Sequence, residues 1–121
     1  MSRRQKTAFG EYLVEQIRKA DMSQEEFYKA VGIRKPYFYD LLTASPPPSD
    51  LQNRMLSVFD EKTGVNDERR YKFYDLAAEG RGEIPADIAK LITDNPEKLY
   101  EIRQELKKLL SKQGYHLLKK N

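Results

Sequence analysis

Apolar side chains recur at steps of three and four residues along most of the chain, and no run of alternating polarity persists, so the pattern predicts helices and no strands. A first helix is expected from about Thr7 to Ala20, with Phe9, Leu13 and Ile17 on one stripe and Tyr12 and Val14 on its flanks. Ser23 followed three residues later by Glu26 is the pattern of a capping box, and Phe27, Ala30 and Val31 form the stripe behind it. Gly32 can then take the left-handed conformation that ends a helix. A third helix starts near Arg34 with Pro36 in its first turn, where a missing amide costs nothing, and it buries Phe38, Leu41 and Leu42.

The prolines of SPPPSD break the pattern, and Ser49 or Asp50 is expected to cap a fourth helix carrying Leu51, Met55, Val58 and Phe59. After the connector EKTGVND, the stretch ERRYKFYDLAAEG gives a fifth helix with Tyr71, Tyr74, Ala77 and Ala78 on one side and Phe73 and Leu76 nearby. Gly80-Arg81-Gly82 stops it. Pro85 opens a short helix with Ile88, Leu91 and Ile92, and Asn95-Pro96 restarts the chain into a last helix reaching about Gln113. Leu99, Ile102, Leu106 and Leu109 have coiled-coil spacing over fewer than two heptads, which favours a packing helix over a self-standing zipper.

Composition sharpens this picture. A chain of 121 residues suits one hydrophobic core with peripheral helices. The natural division is 1–64 and 65–121, with the second part a helical extension able to pack onto the first. With 39% hydrophobic and 34% charged residues, the chain is polar but too well patterned to be disordered throughout. The net charge of +3 hides an uneven distribution: residues 1–44 hold 8 basic and 6 acidic groups, 45–96 hold 7 and 10, and 97–121 hold 7 and 3. Basic ends around an acidic middle suit a polyanion, and equally suit an ordinary solvated surface. The absence of cysteine excludes disulfides, thiolate zinc sites and cysteine nucleophiles, and fits a reducing compartment. No apolar stretch is long enough to span a bilayer or form a signal-peptide core, so a cytoplasmic protein without a membrane partner is expected.

The third helix raises the functional question. One helix face cannot bury Tyr37, Phe38 and Tyr39 together. With Phe38, Leu41 and Leu42 inward, Pro36, Tyr39, Asp40 and Thr43 fall on the opposite face, Tyr37 lies on the flank, and Arg34 and Lys35 stand at the amino-terminal tip. Two helices joined by a glycine turn make a helix-turn-helix, whose second helix enters the DNA major groove in DNA-binding proteins. Cations at its tip suit phosphates and the O6 and N7 acceptors of guanine.

On these residues the chain resembles the Cro/phage-repressor (XRE) helix-turn-helix family. The resemblance runs from about Phe9 to Phe59 and includes Ser23-Gln24-Glu25-Glu26-Phe27, Val31-Gly32-Ile33 and Pro48-Ser49. It implies an all-α, lambda-repressor-like bundle with additional carboxy-terminal helices. In this family the residue matching Gln24 meets the DNA backbone, and those matching Arg34, Lys35, Pro36, Tyr39 and Asp40 face the groove. The sequence departs from the family at Asp40, where a basic or amide side chain is common, and at Pro36, which supplies no donor. It also has Thr43-Ala44-Ser45 where a loop glycine is usual. Asp40 would repel phosphates yet accept from cytosine N4.

The expectation is a sequence-specific DNA-binding regulator, a repressor in the first instance, working as a homodimer on double-stranded DNA through the helix from Arg34 to Leu42. Its dimer contacts are expected on the fifth helix or the Leu99–Leu110 stripe. The alternative is a protein-interaction module, antitoxin-like or adaptor, binding a partner through its carboxy-terminal helices. RNA binding by stacking on Tyr37 and Tyr39 is a third. Tyr37, Tyr39 and Thr43 are counted with the DNA-contacting residues, the two tyrosines as contacts to sugar, phosphate or a thymine methyl. Both rings equally read as covers for the edge of the core, the reading favoured for Tyr37. Ser2-Arg3-Arg4-Gln5-Lys6 reads as a mobile start or an arm along phosphates or in a minor groove. Glu25 and Glu26 lack a nearby histidine for a metal site, and His116, the only histidine, has no triad partner. Gly80-Arg81-Gly82 lacks the third glycine of a dinucleotide fingerprint. Neither an enzyme nor a cofactor is expected.

Overall fold

A computed structural model describes residues 4–120, with side chains described for 4–111. His116, Ser2 and Arg3 lie outside the residues whose side chains are described. Within the described residues the chain is all-helical: α1 (Ala8–Lys19), α2 (Gln24–Val31), α3 (Lys35–Thr43), α4 (Ser49–Thr63), α5 (Asp67–Arg81), α6 (Ala86–Thr93), a 3-10 turn at Pro96–Lys98 and α7 (Leu99–Lys120). None of these helices is long and apolar enough to cross a membrane.

Local signals set the helix ends. The Thr7 hydroxyl accepts from the Gly10 amide at the start of α1. At α2 both bonds of the capping box are present: Glu26 N–H donates to Ser23 Oγ at 3.0 Å and Ser23 N–H donates to Glu26 Oε1 at 2.8 Å. Such a cap contributes about 1 kcal/mol. The Ser23 backbone bond holds the Glu26 carboxyl below its ordinary range. A carboxylate whose folded pKa is lowered contributes stability that is present at neutral pH and lost as acid protonates it. Gly32 closes α2 in the left-handed region at φ 93°. The α4 cap differs from expectation: Pro48 occupies the position, without a side-chain bond, and Ser49 is already helical.

The chain forms two compact units, one ending at Asp87 and one beginning at Ile88. The first therefore continues past residue 64 and takes in α5. Its core joins Phe9, Leu13 and Ile17 of α1, Phe27 and Val31 of α2, Phe38, Leu41 and Leu42 of α3, Leu51, Met55, Leu56 and Phe59 of α4, and Phe73, Tyr74 and Ala77 of α5. Phe27 stacks on Phe59 at 4.9 Å, and Phe9 meets Phe73 edge-on at 5.1 Å. Two expected stripes shift. Ala30 is exposed, and on α5 Tyr71 points outward while Phe73 is fully buried.

The proline segment is more than a connector. Pro46 and Pro47 are fully buried, Gln52 Nε2 donates to the Pro47 carbonyl at 2.8 Å, and Arg81 donates to the Pro46 carbonyl at 3.1 Å. In the second unit Leu99, Leu106, Leu109 and Leu110 remain exposed along α7.

Candidate functional site

The outer surface of α2 and α3 is built from a short turn and a rigid inner face. Gly32, Ile33 and Arg34 alone separate α2 from α3. Arg54 of α4 clasps that turn, donating through Nη2 to the Val31 carbonyl at 2.6 Å and satisfying one of the carbonyls that a helix end leaves without a partner. On the inner side Phe38 packs against Phe27 and Tyr28, at 6.2 and 5.4 Å between ring centroids. Tyr28 thus covers the core edge, the place expected for Tyr37, which is 43% exposed.

With Phe38, Leu41 and Leu42 buried, the opposite face is presented to solvent. Gln24, Arg34, Lys35, Pro36, Tyr37, Tyr39 and Asp40 are all exposed, and Thr43 is half-buried. Arg34 is the residue capping α3 but makes no side-chain cap bond, which leaves its guanidinium outside the helix. The Thr43 hydroxyl donates to the Tyr39 carbonyl at 2.9 Å, so that donor is already committed within α3. Gln24, Glu25, Lys35, Pro36 and Tyr39 line one open groove of about 510 Å³ between the start of α2 and α3.

Charge is arranged unevenly on this surface. Glu25 pairs with Lys29 at 2.7 Å, and Asp40 pairs with Arg4 at 2.6 Å. The Lys29 bond, and behind it the charge of Lys35, hold the Glu25 carboxyl below its ordinary range. Glu25 and Asp40 are thus each matched by a cation, while the Glu26 carboxylate is taken up by the Ser23 amide. Among the described residues, Arg34 and Lys35 have no ion-pair partner. The surplus positive charge therefore collects at the leading end of α3, where helix geometry leaves amide donors without helical partners.

Arg4 is the functional candidate that the sequence pattern does not single out. Its guanidinium lies over the Tyr39 ring, with Cζ 5.0 Å from the centroid, while Nη2 donates to Asp40. Only the basic character of residues 3–6 hinted at it. The described residues contain no cluster of histidine and acidic groups able to hold a metal ion. The chain matches no protein-family model, no curated protein and no solved structure.

Proposed function

We propose that the protein is a sequence-specific DNA-binding regulator of lambda-repressor-like helix-turn-helix architecture, acting in the cytoplasm and repressing by covering a promoter. One observation carries the reading. The face of α3 turned away from the core ends in two exposed cations, Arg34 and Lys35, neither of which forms an ion pair among the described residues. A helix presented this way can set its tip against phosphates and guanine edges while its buried face keeps it rigid.

The same reading includes a homodimer on two-fold related DNA, with reading helices about one turn or roughly 34 Å apart. The apolar side of α5 is used up by Phe73, Tyr74 and Ala77 in the core of the first unit. The exposed Leu99, Leu106 and Leu109 stripe of α7 supports the second surface foreseen for the dimer. That stripe also favours the alternative of an interaction module, whose partner would lie along α7.

Selection from a random-sequence duplex pool separates the two. Enrichment of a two-fold symmetric site, bound by two copies of the chain, is expected. Failure to enrich any duplex, together with a stoichiometric protein partner that Leu106→Lys releases, would replace this reading by the interaction module.

A further inference from the structure

We propose that Arg4 is a specificity-determining residue, held by Asp40 and Tyr39 so that its guanidinium reads a guanine beside α3. The inference rests on the DNA-binding reading above and adds a base-reading group that does not belong to the reading helix.

The segment ahead of α1 is tied to the far end of α3. The Thr7 amide donates to the Leu42 carbonyl at 2.9 Å, and the Thr7 hydroxyl reaches the same oxygen at 3.3 Å. Only Gln5 and Lys6 separate that anchor from Arg4, so the arginine can be delivered to the middle of the exposed face and no farther. There it meets two groups one residue apart. The Tyr39 ring supports the flat guanidinium from below, and the Asp40 carboxylate takes a hydrogen bond from one of its nitrogens.

This arrangement accounts for the acid in the middle of a face meant for a polyanion. A lone Asp40 would repel phosphates. Paired with Arg4, it becomes a strut that fixes the direction of a long side chain. Both side chains are about half exposed, at 49% and 55%, so the pair adds little to folding stability. Its consequence is the position of the guanidinium. The Asp40 bond engages one nitrogen of a group carrying five N–H donors in a planar fork. The remaining donors match the O6 and N7 acceptors of guanine, the commonest specific contact in the major groove.

The test is selection from a random duplex pool with the wild-type chain, Arg4→Ala and Asp40→Ala, followed by affinity measurements on the enriched duplex and on an unrelated one. The wild type should enrich a site with a guanine in each half. Arg4→Ala should lose the preference at that position alone, with discrimination there falling about 5- to 100-fold. Asp40→Ala should move two readings in opposite directions: binding to the unrelated duplex tightens because a negative charge is gone, while discrimination at the guanine falls because Arg4 is no longer held. Uniform weakening by Arg4→Ala on both duplexes, with the enriched sequence unchanged, would make Arg4 a phosphate contact and overturn the inference while sparing the DNA-binding reading. Loss of a cytosine preference in Asp40→Ala that Arg4→Ala retains would assign base reading to Asp40 itself, and also overturn it. If the wild type enriches nothing, the DNA-binding reading falls and this inference with it.

Discussion

Gly10→Ala is expected to destabilise the first unit by about 3 kcal/mol or more, lowering its thermal midpoint by over about 10 °C. The sign makes this a sharp test. Helix propensity alone favours alanine over glycine, by up to about 1 kcal/mol in a helix interior and less in a first turn such as that of Gly10, so a residue judged by its own helix should gain stability. The crossing of α1 over α3 forbids that gain. A Cβ on Gly10 would stand 2.0 Å from the Leu42 carbonyl oxygen and 2.8 Å from its carbon, and both are backbone atoms that cannot swing aside. The same oxygen accepts from Thr7, so moving α3 away would also break the anchor at the start of α1. Glu11→Ala, at the exposed neighbouring position, should change the midpoint little. Thermal unfolding followed by circular dichroism reads both; a more stable Gly10→Ala would mean that α1 and α3 do not approach this closely.

Asp60→Ala should cost about 2–3 kcal/mol, the second large effect. Asp60 near the end of α4 accepts from Arg69 at 3.1 Å and from Arg70 at 2.6 Å, both in the first turn of α5. The Arg69 side chain is only 10% exposed and lies over Phe59, so removing the carboxylate strands a cation against the core. Its bonds to the Thr63 hydroxyl at 2.8 Å and the Gly64 carbonyl at 2.9 Å remain, and Arg70 is partly exposed, which keeps the cost below that of a wholly buried pair. Glu25→Ala removes an ion pair of similar length, yet both of its partners are well exposed, so unfolding should be insensitive to it. Denaturant midpoints for the two variants settle the comparison; equal midpoints would mean that the α4–α5 corner does not depend on this charge cluster.

Much of the first unit could be read from local signals. The Ser23–Glu26 box, the Gly32 stop and the inward faces of α1 and α3 appear in the structure as the residue order implies, because each is set within four or five residues. What stayed hidden was decided across the fold. Gly10 looks like a propensity defect until Leu42 is placed against it. On α5, aromatic residues at 71, 73 and 74 surround the helix so nearly that periodicity cannot choose a face, and contact of Phe73 with Phe9 makes the choice. The prolines at 46 and 47 read as a break, but both are buried: the end of α5 packs on Pro46, where a Cβ on Gly80 would sit 2.6 Å from the ring, and Gln52 of α4 holds the Pro47 carbonyl.

The candidate face divides in the same way. The exposure of Arg34, Lys35, Pro36, Tyr39 and Asp40 follows from burying Phe38, Leu41 and Leu42. The partner of Asp40 does not, because Arg4 lies 36 residues away and reaches it only through the Thr7–Leu42 anchor.

The most direct test of DNA reading by α3 is a salt titration of binding to the enriched duplex, comparing the wild-type chain with Lys35→Ala. Lys35 is exposed at the tip of α3, so its replacement should unfold nothing. Weaker binding with a log–log salt slope flatter by about 0.9 is the expected result, the signature of one lost phosphate contact. Unchanged affinity and slope would take the tip of α3 out of contact with DNA and contradict the proposed function at its centre.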